Sequence, residues 1–148
     1  MRIGYLVAHK ALVEKLSAGC EPWSVNTLAS VAAAQSLRDL PYRTRTLRLI
    51  RQERTFLMGQ LAGLPWLRPF PSETNFLLVE IVTARITSTQ LRERLEHRNI
   101  LIRDCASFPG LGPRYFRIAI RSRSDNRGLI DELRIVSRTL KPLAGRKA

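Results

Sequence analysis

The stretch Ile100 to Arg121 constrains the fold more than any other. Two apolar runs, Ile100–Arg103 and Tyr115–Arg121, flank a loop that carries Pro109, Gly110, Gly112 and Pro113. This reads as strand, loop, strand. Side chains alternate along a strand, so Phe116, Ile118 and Ile120 share one face, and Tyr115, Arg117, Ala119 and Arg121 take the other. Ile100 and Ile102 likewise oppose Leu101 and Arg103. An arginine within an apolar strand is costly to bury unless it meets an anion. Its planar fork suits a carboxylate or a phosphate. Arg103 and Arg117 therefore have two readings: an anion site, or an edge strand whose arginines face solvent. Pattern alone leaves both open. Arg114, Arg121 and Arg123 read as surface charges, following the general preference of arginine for solvent.

The remaining elements follow from local signals. Arg2–Ala8 reads as a short strand, and Ala11–Leu16 as a short helix ended by Gly19. Ser24 or Asn26 caps an alanine-rich helix over Thr27–Leu40 that Pro41 is expected to stop. Tyr42–Leu64 carries Leu47, Ile50, Leu57, Leu61 and Leu64 near helical spacing, and Gly63 and Pro65 end it. Trp66–Phe70 reads as an edge strand restricted by Pro69 and Pro71, and Asn75–Ile81 as a central strand. Thr87 with Gln90 makes a capping box, Ile86 with Leu91 a hydrophobic staple, and the helix runs to about Arg98. Ser124 caps a last helix with Leu129, Leu133, Val136 and Leu140 on one face. The order suits an α/β domain whose helices cover a small mixed or antiparallel sheet. Four segments are expected: 1–41, a linking helix over 42–65, a C-terminal α/β domain over 66–141, and a tail over 142–148.

Composition narrows the function classes. With 148 residues, 45% apolar and 25% charged, the chain is an ordinary globular sequence. No apolar run reaches membrane-span length, and no signal-peptide pattern opens the chain, so a cytoplasmic setting is the default expectation. The formal charge of +13 raises nucleic acid as a partner. Against it, the arginines are dispersed, and aromatic residues do not interleave with them as a stacking platform requires. Cys20 and Cys105 form no CxxC pair, and His9 and His97 lack neighbours at metal-ligand spacing.

Several motifs in order carry a resemblance: Arg2-Ile3-Gly4-Tyr5, Pro22-Trp23-Ser24-Val25-Asn26, Glu53-Arg54, Pro71-Ser72 with Asn75-Phe76-Leu77-Leu78, and Arg103-Asp104-Cys105 with Phe108, Gly110 and Leu111. The last of these is followed by Arg114-Tyr115-Phe116-Arg117-Ile118-Ala119-Ile120-Arg121. Together they resemble the C-terminal part of the threonine-phosphate decarboxylases of cobalamin biosynthesis. These enzymes are close to the histidinol-phosphate aminotransferases within the class I/II aminotransferase superfamily.

The resemblance implies the small domain of a fold type I (aspartate aminotransferase-like) enzyme, pyridoxal 5'-phosphate as cofactor, a phosphorylated amino-acid substrate and a homodimer for the complete enzyme. It assigns Arg117 to the substrate carboxylate, Arg103 to the substrate phosphate or the rest of the anion pocket, and Arg2 to the cofactor phosphate. The lysine that carries the cofactor in such enzymes is expected to precede Met1. Lys10 and Lys15 match nothing in its motif. The implied reaction is decarboxylation of L-threonine O-3-phosphate, with this chain a C-terminal part and inactive by itself. Transamination on a histidinol-phosphate-like substrate is the alternative. A non-catalytic split subunit and a basic nucleic-acid module are two others; co-purification with a larger cofactor-binding chain would identify the first, and salt-sensitive retardation of DNA or RNA the second.

Overall fold

The computed structural model describes residues 3–140. The chain divides into two compact units, Met1–Thr46 and Leu47–Ala148.

In the first unit, Ile3–Ala8 is irregular and not the expected strand; Arg2 lies outside the described residues. A strand needs a neighbour to take its N–H and C=O groups, and among the described residues none pairs with this segment. Helix α1 spans Lys10–Ala18. Helix α2 spans Thr27–Arg38, with Asn26 as its cap: the Asn26 side-chain oxygen accepts from the Ala29 N–H at 2.7 Å. Helix α3 spans Leu40–Ala62, beginning in this unit and continuing into the second. Pro41 therefore does not stop a helix but sits in the first turn of the next one. There its missing N–H costs nothing, because first-turn donors have no intrahelical partner. Among the described residues of this unit, Ala29 alone is buried.

The second unit holds the core. Strand β1 is Leu67–Pro69, β2 is Phe76–Ile81, β3 is Arg103–Asp104 and β4 is Tyr115–Ala119. Their order is β1-β2-β4-β3, and every pairing is antiparallel. The sheet is thus antiparallel rather than mixed. Because β2 and β3 both run against β4, they run parallel to each other, and helix α4 (Ser88–Glu96) makes the crossover between them. Thr87 and Gln90 form the expected capping box, with reciprocal bonds of 3.2 and 3.0 Å, and Ile86 and Leu91 are buried as a staple requires.

Helix α5 (Arg123–Leu140) follows β4. Its start is capped by Ser122 and not by Ser124: the Asp125 N–H donates to Ser122 Oγ at 3.3 Å, and the Asn126 N–H to Ser122 O at 2.9 Å. One face of the sheet, with Leu77, Val79, Ile81, Phe116 and Ile118, packs in a single core with Leu57 and Leu61 of α3, Leu91 and Leu95 of α4, and Leu129, Ile130, Leu133 and Val136 of α5. Each such side chain contributes roughly 1.5–3 kcal/mol on burial. The sheet's other face carries the candidate site.

Candidate functional site

Register fixes what shares that second face. Arg103 stands opposite Arg117, Arg117 opposite Leu78, Phe76 opposite Ala119, and Glu80 opposite both Tyr115 and Arg68. Both Arg103 and Arg117 are exposed, because alternation turns both away from the core. Of the two strands only β3 is at an edge; β4 is paired on both sides.

Like charges directly opposite on neighbouring strands are destabilising. Here each guanidinium rests on an aromatic ring instead of a carboxylate. Arg117 Cζ lies 4.6 Å from the centroid of Phe76, and Arg103 Cζ lies 5.4 Å from that of Phe108. The nearby acids are occupied elsewhere. Glu80 is paired with Arg68. Asp104 points to the other side of β3 and accepts from Ser88 Oγ and Thr89 Oγ1, each at 2.7 Å, and from the Ala106 N–H at 2.9 Å. Burial works against the Asp104 charge, but these three donors outweigh it and hold the carboxyl below its ordinary range. Asp104 thereby ties the start of the loop to the N-terminus of α4, where a negative charge is favoured.

Cys105 is buried beside this pair. Burial pushes its thiol pKa up, against the pull of Arg117 and Arg103, so it is a protonated packing residue. Gly110 and Gly112 have φ of 84° and 72°, a left-handed backbone that suits glycine and lets the loop turn back into β4. Arg114 is not free surface charge: its Nε donates to Ile81 O at 3.0 Å. Arg121 does behave as an exposed charge, paired with Asp125 at 3.0 Å.

Arg123 is the largest departure from the sequence reading. Its Nε donates to both oxygens of Glu53 at 2.9 and 3.0 Å, and its guanidinium covers Phe56 with Cζ 4.1 Å from the ring centroid. Glu53 is only 4% exposed and also accepts from Asn126 Nδ2 at 2.9 Å. The Arg123 hydrogen bond chiefly, with help from Asn126, holds the Glu53 carboxyl below its ordinary value despite burial. Asn126 in turn donates to Arg121 O and accepts from the Arg121 N–H, so one cluster joins α3, the end of β4 and α5. Besides the Glu53-Arg54 motif, a polar residue inside the apolar repeat of α3 is the local signal of Glu53; its partners lie 70 and 73 residues away.

A family model for class I and II aminotransferases matches residues 1–133. The chain belongs to that family. It is 37% identical to a threonine-phosphate decarboxylase of Salmonella typhimurium over 96% of its own length and 38% of the relative's. It is 33% identical to a histidinol-phosphate aminotransferase of Methanopyrus kandleri, covering 91% of this chain and 34% of that one. The crystal structure of the histidinol-phosphate aminotransferase from Clostridium acetobutylicum superposes with a TM-score of 0.78 at 30% identity, over 88% of this chain and 39% of that one. The chain thus spans about two fifths or less of the length of these relatives.

Enzymes of this family depend on pyridoxal phosphate. The described residues do not by themselves form a site for it. Their lysines, Lys10 and Lys15, both lie on the exposed surface of α1, and Lys10 is paired with Glu14 at 3.7 Å. A lysine that forms a Schiff base works from a desolvated or cationic pocket, and both of these side chains are exposed to solvent. Among the described residues there is no cluster of potential metal ligands, and no helix is long and apolar enough to cross a membrane.

Proposed function

We propose that this chain supplies the substrate-anion recognition surface of a pyridoxal-phosphate enzyme that decarboxylates L-threonine O-3-phosphate to aminopropanol phosphate. One observation carries the reading. Arg103 and Arg117 stand directly opposite each other on one sheet face, with aromatic rings and no carboxylate as partners among the described residues. Two uncompensated guanidinium groups at adjacent strand positions favour a ligand with two anionic groups, and threonine phosphate has a carboxylate and a phosphate. The similarity to a threonine-phosphate decarboxylase adds support.

In this reading Arg117 clamps the carboxylate and Arg103 takes the phosphate. The clamp's work is orientation, which supplies much of the rate when a bond must be held at a fixed angle. Charge-assisted hydrogen bonds of roughly 1.5–3 kcal/mol each set its scale. Arg2 is carried forward as a contact to the cofactor phosphate, the complete enzyme as a homodimer, and the cofactor-bearing lysine as residing outside this chain.

Transamination of histidinol phosphate is the second reading, favoured by the similarity to a histidinol-phosphate aminotransferase. That substrate has a phosphate but no carboxylate, and its transamination also needs an amino-acid partner substrate that has one. Product analysis on the complete, cofactor-loaded enzyme given O-phospho-L-threonine separates the two. The decarboxylase reading expects carbon dioxide and aminopropanol phosphate, with a strong loss of binding and turnover in Arg117→Lys, which keeps charge but not the two-pronged geometry. A product that keeps the carboxylate, or native kinetics in Arg117→Lys, overturns it.

A further inference from the structure

Four arginines of the second unit lie over aromatic rings: Arg68 on Phe70, Arg103 on Phe108, Arg117 on Phe76 and Arg123 on Phe56. They fall into two kinds. Arg68 also binds Glu80, and Arg123 also binds Glu53, so the donor edges of both forks are engaged. Arg103 and Arg117 have no such carboxylate among the described residues.

The Arg117 stack is built by the sheet itself. Phe76 on β2 stands opposite Ala119, and Arg117 lies two residues earlier on the same face of β4. The two are diagonal neighbours, a separation that aromatic and long side chains can bridge. The Ala119 side chain ends at Cβ, which leaves the space over the ring free for the guanidinium. A ring engages the flat face of a guanidinium, whereas a carboxylate takes up its N–H edge.

We infer that Phe76 is a positioning residue: it holds the Arg117 guanidinium by its face, so that the donor edge stays open to the carboxylate of an incoming substrate. This rests on the reading of Arg117 as the clamp. It adds that clamp geometry is set from β2, by a residue that does not contact the anion.

The test reads Arg117 by NMR in the 15N-arginine-labelled chain, and reads substrate affinity by titrating the complete, cofactor-loaded enzyme with O-phospho-L-threonine. The Arg117 Nε–H signal should show a ring-current shift in the native chain and in Phe76→Tyr, and lose it in Phe76→Leu. Binding should weaken about threefold in Phe76→Leu, the scale of an exposed cation–π contact, and return in Phe76→Tyr. Ala119→Leu, at an exposed position, fills the space over the ring and should reproduce the Phe76→Leu effect without altering Phe76. Arg117→Ala should abolish carboxylate-dependent binding. If Arg117→Ala loses binding while Phe76→Leu and Ala119→Leu keep native affinity, the positioning role is wrong and the clamp stands. If Arg117→Ala binds as the native chain does, the clamp itself is wrong and the inference falls with it.

Discussion

Helices α2 and α5 invite comparison. Both have apolar residues at helical spacing. Helix α5 buries Asn126, Leu129, Ile130, Leu133 and Val136, whereas α2 buries Ala29 alone and leaves Leu28 76%, Val31 55% and Leu37 63% exposed. The contrast extends to the two units. Residues 47–140 have a sheet face for their helices to cover, and residues 3–46 have no sheet. Helical spacing creates an apolar stripe; only a complementary surface turns that stripe into stability.

Three experiments break or sharpen this comparison. The largest effect is expected in amide hydrogen exchange. Amides in α4, α5, β2 and β4 should be protected on the order of a hundredfold or more above those in α1 and α2, because opening costs least where few apolar contacts are lost. Comparable protection in both units would end the contrast.

Next comes the cluster that ties the second unit together. Arg123→Ala leaves Glu53 covered and without its main partner. We expect a loss of about 2 kcal/mol in urea unfolding, less than the about 3–5 typical of a fully buried pair, because Arg123 keeps contact with water. Acid should reveal the same cluster. The Glu53 and Asp104 carboxyls titrate lower in the folded chain than in the unfolded one, so their stabilisation is complete above the unfolded values. It disappears as pH falls through the folded ones. The unfolding midpoint should therefore drop below the ordinary glutamate value of 4.5, and the drop should be shallower in Arg123→Ala. An unchanged acid profile would show that the pair contributes nothing.

The smallest effect is expected for Leu28→Ser, which should change unfolding by under about 0.5 kcal/mol, as exposed positions generally do. A loss of 2 kcal/mol or more would mean that α2 is covered in solution.

Features encoded within a few residues were legible in the sequence. The Thr87–Gln90 capping box, the Asn26 cap, the Phe76–Ile81 strand and the leucine face of α5 all depend on neighbours close in the chain. The family and its fold were legible from the spacing of motifs. What failed depended on distant partners or on choices between equivalent signals. Ser122 and Ser124 are both competent caps, and only the path out of β4 selects the first. Arg123 looked like surface charge because Glu53 is 70 residues away. Ile3–Ala8 has the composition of a strand, but composition supplies no neighbour. Arg103 and Arg117 were legible as a pair, whereas the rings beneath them were not, since register between β2 and β4 cannot be read from either strand alone.

The two edge strands of the sheet bear on how the molecule keeps from sticking to itself. Strand β1 has three residues and ends at Pro69, which cannot donate to a new neighbour, and β3 has only two. Beside that short edge, the Asp104 side chain is held by Ser88 and Thr89 at the start of α4. Neither edge offers a run of free backbone long enough to recruit a foreign strand. Fibril-like growth through the sheet is therefore disfavoured, and self-association at high concentration should proceed through the apolar side chains of α1 and α2.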